Sequence, residues 1–195
     1  IAISQALDLH GTVGIDLVAM VADDLVVCGA EPLFLQDYIA VGSVDPERVA
    51  ELVKGISEGC VRAGCALLGG ETAEHPGLMG ESEYDLSATG VGIVDGVLGP
   101  DRVRPGDVVI ALGSSGLHSN GYSLARHVLL ESARMPLSGH VEEFGRTLGE
   151  ELLEPTRIYA KDCLALASEA EVRTFAHVTG GGLAANLARV IPNGL

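Results

Sequence analysis

The run Val108-Val-Ile-Ala-Leu-Gly-Ser-Ser-Gly-Leu-His-Ser-Asn-Gly121 decides the fold class. Val108–Leu112 is continuously apolar and short, the pattern of a buried strand, and it passes directly into a loop of glycine and small polar residues. A helix follows over roughly residues 121–132. Strand, glycine-rich loop and helix in that order belong to α/β proteins. The loop delivers the chain to a helix N-terminus, where unpaired N–H groups and the positive end of the dipole favour an anion. Glycine lets the backbone approach that anion closely. Ser119, Asn120, Gly121 and Ser123 are therefore candidate phosphate-binding residues. No Gly-Lys-Ser/Thr follows, so this is not a Walker loop.

The same grammar returns downstream. Val172–His177 reads as a strand, and the turn Thr179-Gly180-Gly181-Gly182 leads into a helix through Asn186 to about Val190. Three consecutive glycines sacrifice backbone entropy that a plain turn would not need to lose, so this is a second candidate phosphate grip. A lone histidine at a strand end serves as a structural hydrogen-bonding residue as readily as an acid or base, and His177 is open to both readings.

Working back toward the start, Gly14–Ala30 reads as a helix carrying Asp16, Asp23 and Asp24. Asp16 and Asp23 nearly eclipse one another, and Asp24 lies about 80° round from Asp16. Leu33–Val41 reads as a strand. Asp45 caps a helix with Pro46 at its first position that runs to Gly64. Ala66–Leu68 is expected as a short buried strand, with Gly69-Gly70-Glu71-Thr72 at its end. Glu74–Glu83 is a loop and Tyr84–Val94 a strand. Asp24 and Glu71, from different elements, can converge on a Mg²⁺ that bridges nucleotide phosphates. The plainer reading of the helix carboxylates is a solvated face. Pro100, Pro105 and Gly106 punctuate Gly99–Asp107, where the domain junction is placed, giving domains 1–99 and 100–195. Thr147–Leu153 and Arg157–Ala170 are further helices, separated by Pro155. Both ends of the chain read as cut, since it opens on Ile1 inside ordinary sequence and closes on Leu195 just after a helical run.

Composition narrows the function. The formal charge is −15, from 27 acidic against 12 basic residues, so the surface repels a nucleic-acid backbone or an anionic membrane. A small phosphorylated ligand stays compatible, because local N–H groups and a metal ion offset the global field. Aromatics are 4% with no Trp, so the core must be aliphatic. Cys28, Cys60, Cys65 and Cys163 form no C-x-x-C pair and sit in apolar runs, as small buried hydrophobes do in a reducing compartment. Nothing reads as a signal peptide or a membrane span, and a cytoplasmic protein is expected.

Six runs in order carry a family resemblance: Gly14-Ile-Asp-Leu-Val-Ala-Met20, Cys28-Gly-Ala-Glu-Pro32, Gly69-Gly-Glu-Thr72, Ser114-Ser-Gly-Leu-His-Ser-Asn-Gly-Tyr-Ser123, Glu154-Pro-Thr-Arg-Ile-Tyr159 and His177-Val-Thr-Gly-Gly-Gly182. Each alone is weak; together they resemble aminoimidazole ribonucleotide synthetase, the phosphoribosylformylglycinamidine cyclo-ligase family. The resemblance implies a two-domain α/β fold of the α+β type, with mixed sheets covered by helices, and a homodimer built through strands of the first domain. It implies ATP and Mg²⁺ as cofactors and formylglycinamidine ribonucleotide as substrate. ATP would activate the formyl oxygen, an internal nitrogen would close the ring, and phosphate would leave. By the same resemblance Asp24 and Glu71 are the metal carboxylates, and Gly69, Gly70 and Thr72 lie beside them at the nucleotide. The turns around His118–Ser123 and Thr179–Gly182 hold phosphates. His118 and His177 are the acid–base or charge-stabilising candidates.

The sequence departs from the family at Asp23, where the family has Asn, which adds a charge beside Asp24. The family's Asp-Gly-Val-Gly-Thr-Lys segment is expected just before Ile1. Two other readings compete. One is a different ATP-using member of the same superfamily, such as formylglycinamidine ribonucleotide synthetase or selenophosphate synthetase. The other is a non-catalytic dimerisation or binding module.

Overall fold

The computed structural model describes residues 1–194. Its first half is built on a three-stranded mixed sheet of order β2-β1-β3, where β1 is Glu31–Val41, β2 Ala66–Glu74 and β3 Tyr84–Ile93. β1 runs parallel to β2 and antiparallel to β3. Two helices cover one face: α2 (Val13–Val26) lies over β1 and β3, and α3 (Pro46–Ala63) over β1 and β2. A short α1 (Ala2–Leu7) precedes them.

α3 forms where its signals stand. Asp45 accepts from the Arg48 N–H at 3.1 Å, Pro46 opens the helix, and Gly64 closes it at φ +83°. Its contact with α2 is set by glycine. A Cβ on Gly14 would lie 2.6 Å from the Leu52 carbonyl oxygen of α3, so the two backbones meet where no side chain fits. Val18, Ala22, Val26, Leu35, Ile39, Leu52 and Ile56 fill the space between helices and sheet. This aliphatic core matches the composition.

The second half is mainly helical: α4 (Tyr122–Arg126) continuing into a π-turn (His127–Ser132), α5 (Leu148–Leu152), α6 (Ala160–Glu169) and α7 (Gly182–Val190), with a two-stranded ribbon β4–β5 (His140–Val141, Arg146–Thr147). The two halves exchange packing partners. Ala160 and Cys163 of α6 are buried in the core of the first half, and Ile3 of α1 is buried against Leu148 and Leu152 of α5.

Three expectations are corrected. β2 is neither short nor buried: it continues through Gly69-Gly-Glu-Thr72 to Glu74 along β1, and as an outer strand it is largely exposed. Val108–Leu112 and Val172–His177 join no ladder among the described residues. A run becomes a strand only when a neighbour takes its N–H and C=O groups, and among the described residues no such neighbour lies beside these two. Val108 and Ile110 accordingly stand 83% and 74% exposed. All four cysteines are free, and Cys60 and Cys163 are buried as expected.

Candidate functional site

Three carboxylates of α2 face the second half. Asp16 Oδ1 accepts from the Thr156 N–H at 2.8 Å, and Asp23 Oδ1 accepts from the Tyr159 N–H at 3.0 Å. Two helical turns separate these aspartates, which puts them on one stripe, and the stripe meets the segment Pro155–Tyr159. Burial raises the pKa of Asp16, against the Thr156 contacts that lower it. Burial pushes Asp23 up to about 6, opposed by the Tyr159 N–H and by His177. Asp24, round the helix, is exposed and takes a different partner: its Oδ1 lies 2.7 Å from His177 Nδ1. Since a carboxylate only accepts, Nδ1 carries the hydrogen, and a neutral His177 presents Nε2 as an acceptor.

The two glycine-rich turns lie side by side. The Asn120 side-chain oxygen would be 3.7 Å from a Cβ on Gly180. Gly121, Gly181 and Gly182 all have positive φ, at +95°, +98° and +71°, which only glycine adopts without strain. A Cβ on Gly121 or Gly182 would meet nothing within 4 Å, so the backbone there is open to a ligand. Asn186 of α7 holds the second turn from beneath, its amide donating to the carbonyls of Thr179, Gly180 and Gly182. The Ser119 hydroxyl is buried without a hydrogen-bond partner among the described residues. A buried hydroxyl left unpaired beside an open cradle suits a phosphate oxygen. Ser123 sits in the first turn of α4.

His118 belongs to the same cluster. The Ser115 N–H donates to its Nε2 at 3.1 Å, which leaves Nδ1 as the N–H donor. Burial lowers its pKa, while the Asp16 charge pulls the other way and His177 adds to the lowering. Both histidines thus carry the Nδ1–H tautomer, but to different ends: His118 keeps its Nδ1–H as a donor, whereas His177 gives its own to Asp24 and offers the Nε2 lone pair.

The Gly-Gly-Glu-Thr run is organised differently from a turn at a strand end. Gly69 sits at a register shift, where Leu68 is skipped between the pairs Leu35–Leu67 and Gln36–Gly69. Gly70 has no room for a side chain because that of Asp37 fills the space. Both glycines are accounted for by the sheet. Glu71 pairs with Tyr38, and Thr72 with Ile39. Val21 and Leu25 of α2 pack over Gly90, opposite Leu35, so Glu71 lies three residues farther along β1, about 10 Å, and beside Tyr38 on the sheet face away from α2. No hydrogen bond or ion pair joins Asp24 to Glu71, and no group of three His, Cys, Asp or Glu gathers into a metal cage among the described residues.

The residues missed by sequence reasoning are Asp16, as the partner of Thr156, and Ser115, which ties His118 to Pro155–Arg157. The seven-residue spacing of Asp16 and Asp23 signalled a shared face; their partners, more than 130 residues away, left no local trace.

Comparison with known proteins decides the family. The AIR synthase related protein N-terminal domain matches residues 2–94, and its C-terminal domain matches residues 104–195. The chain belongs to the AIR synthase related family. Its relatives include the phosphoribosylformylglycinamidine cyclo-ligase of Carboxydothermus hydrogenoformans, 54% identical over 97% of this chain, and that of Anaeromyxobacter dehalogenans strain 2CP-C, 57% identical over 98%. The chain spans 56% of the length of each. Among solved structures, hydrogenase maturation protein HypE superposes with a TM-score of 0.63 at 21% identity, covering 92% of this chain and 52% of HypE. Thiamine-monophosphate kinase from Stenotrophomonas maltophilia gives 0.56 at 22%, covering 87% and 49%. These likenesses establish the AIR-synthetase-like α/β fold. No helix among the described residues is long and apolar enough to cross a membrane.

Proposed function

We propose that this chain forms the inter-domain site of an ATP-dependent cyclo-ligase that converts formylglycinamidine ribonucleotide to aminoimidazole ribonucleotide, with ADP and phosphate as the other products. The observation that carries the reading is the meeting of the two glycine-rich turns beside the Asp24–His177 pair, within a chain more than half identical to named cyclo-ligases. An amide oxygen is a poor leaving group and becomes a good one once phosphorylated. The protein's role is to place the reactants and stabilise charge.

In this reading Thr179–Gly182 and Ser119–Gly121 hold phosphate oxygens through backbone N–H groups and the Ser119 hydroxyl, with Ser123 at the rim. His118 donates from Nδ1 to developing negative charge, and His177, oriented by Asp24, takes a proton at Nε2. Asp24, exposed beside the turns, is a hard oxygen donor of the kind Mg²⁺ takes together with nucleotide phosphates; Glu71, paired with Tyr38, stands on the sheet face away from α2 and would hold a cation only apart from Asp24. Mg²⁺ at Asp24 would neutralise charge on the transferring phosphoryl group. Gly69, Gly70 and Thr72 act indirectly, by fixing the strand that carries Glu71. We place the domain junction at Gly99–Asp107, between units 1–99 and 100–195.

A homodimer through the first unit fits the sheet. Its face away from α2 and α3 is uncovered, and Leu33, Tyr38, Leu68, Val91 and Ile93 stand on it at 40% exposure or more.

The test is to incubate the protein with ATP, Mg²⁺ and formylglycinamidine ribonucleotide and to quantify ADP and aminoimidazole ribonucleotide. Equal amounts of the two are expected. ATP turnover indifferent to that substrate would reject the assignment.

A further inference from the structure

The run Glu154-Pro-Thr-Arg-Ile-Tyr159 has no role in the chemistry above, yet it sits at the centre of a hydrogen-bonded chain that links the two halves. On one side α2 holds it, through Asp16 to the Thr156 N–H and Asp23 to the Tyr159 N–H. On the other side it holds the first glycine-rich turn. Ser115 Oγ donates to the Pro155 carbonyl at 2.8 Å and accepts from the Arg157 N–H at 3.1 Å, and the Tyr159 hydroxyl donates to the Gly113 carbonyl at 2.9 Å. Ser115 in turn contacts His118 Nε2 through its N–H and its hydroxyl. The Tyr159 ring lies 6.2 Å from the His118 ring.

We propose that Asp16 and Asp23 are positioning residues, which clamp the segment Pro155–Tyr159 and through it fix Ser115 and the His118 ring of the phosphate-binding turn. The segment follows Pro155, which has no N–H to donate, and the next two amides that face α2 both reach a carboxylate. Thr156 is buried and Tyr159 half-buried, so an unpaired N–H at either place would carry the cost of desolvation with nothing in return. The turn itself is exposed and has few apolar contacts of its own. Its fixed points are the three bonds from the clamped segment and the Tyr122 hydroxyl, 3.2 Å from the Leu117 carbonyl oxygen. The Ser115 N–H, donating to Nε2, then leaves His118 one tautomer, the one that offers Nδ1–H. The proposal concerns how the turn is held, and it stands apart from which substrate the turn takes.

The test is NMR on the isotopically labelled protein without nucleotide or metal, so its outcome is separate from that of the turnover assay. Asp16→Ala should speed hydrogen exchange of the Thr156 amide, and Asp23→Ala that of Tyr159, by about tenfold or more, the range expected for loss of a bond to a charged acceptor. Asp16→Asn and Asp23→Asn keep an acceptor oxygen and should restore protection to near the parent level. The His118 ring nitrogens should report the Nδ1–H tautomer in the parent and in the Asn variants, and a tautomer mixture in the Ala variants. Ser115→Ala lies on the exposed turn and leaves the buried carboxylates untouched. It removes the two Oγ bonds to the segment but keeps the Ser115 N–H that faces Nε2, so it should speed exchange at Arg157 while Thr156 and Tyr159 stay protected and the His118 tautomer is kept. Equal protection of Thr156 and Tyr159 in folded Ala variants would overturn the clamp. Exchange at Arg157 unmoved by Ser115→Ala, or a His118 tautomer unmoved in the Asp→Ala variants, would overturn the clamp's link to the turn.

Discussion

Asp23 is a carboxylate buried where an amide would do the same work. It accepts the Tyr159 N–H, a duty that needs one oxygen and no charge. Burial pushes its pKa from 3.8 to about 6, so the folded chain binds this proton more tightly than the unfolded chain. Below 3.8 the residue is neutral in both states and costs nothing. As pH rises toward 6 the unfolded state loses its proton first, and above that the full cost stands, on the order of 2 kcal/mol. Asp23→Asn should therefore raise the melting temperature at pH 7.5 by about 5 °C and leave it unchanged at pH 3.5. Thermal melts in chelator at the two values check this, and an equal shift at both would reject the charge as the cause. Asp24 makes the opposite case, because its carboxylate is exposed and its partner is a histidine of the second half. Asp24→Asn keeps an oxygen facing His177 but removes the charge that the proposed magnesium–nucleotide site would rely on. Calorimetry should show weakening of Mg–ATP binding by about tenfold or more, with far less effect on inorganic phosphate measured without metal.

At the scale of elements, stability rests on a few caps. Thr147 and Glu150 form a reciprocal box at the start of α5: Thr147 Oγ1 accepts from the Glu150 N–H, and the Glu150 carboxylate accepts from the Thr147 N–H. α5 carries Leu148 and Leu152 of the second core, so the cap supports packing as well as the helix end. Thr147→Ala should cost about 1 kcal/mol in urea unfolding, and Thr147→Ser very little. Such elements are the ones legible in sequence. Asp45-Pro46 and Gly64 delimited α3 to the residue because a cap is a local interaction. The runs Val108–Leu112 and Val172–His177 were misread because apolar character is local and strand pairing is not. The Gly69–Gly70 pair was misread for the same reason. Its cause is Asp37 on the adjacent strand and a skipped residue in the ladder, neither of which shows in the run itself. At the site, the two glycine-rich turns were legible from their composition. The aspartate clamp beneath them was not, because each of its bonds spans more than 130 residues.

At the scale of the molecule, the decisive feature is a central strand with one bare face. Both edges of β1 are paired and its inner face is roofed by α2 and α3, yet its outer face is open along the whole sheet. The apolar end of that face holds Leu33, Leu68, Val91 and Ile93. None of the three strands contains a Lys or Arg, while Glu71 and Asp85 are exposed on them. Two copies meeting through this face would bury apolar surface but bring like charges together, on chains that each carry a formal −15. The two effects respond oppositely to salt. Screening shortens the reach of the repulsion from about 10 Å at 0.1 M to about 3 Å at 1 M and leaves the apolar contact intact. Self-association should therefore strengthen as salt is raised, the reverse of an interface held by ion pairs. Val91→Lys, at the centre of the apolar end, should dissociate the dimer at micromolar concentration and leave the far-ultraviolet circular dichroism unchanged, because Val91 lies outside the helix-covered core. Sedimentation across a salt series measures both effects. A protein that sediments as a monomer at every salt concentration would remove the dimer, whereas a dimer indifferent to Val91→Lys would move the interface to another face.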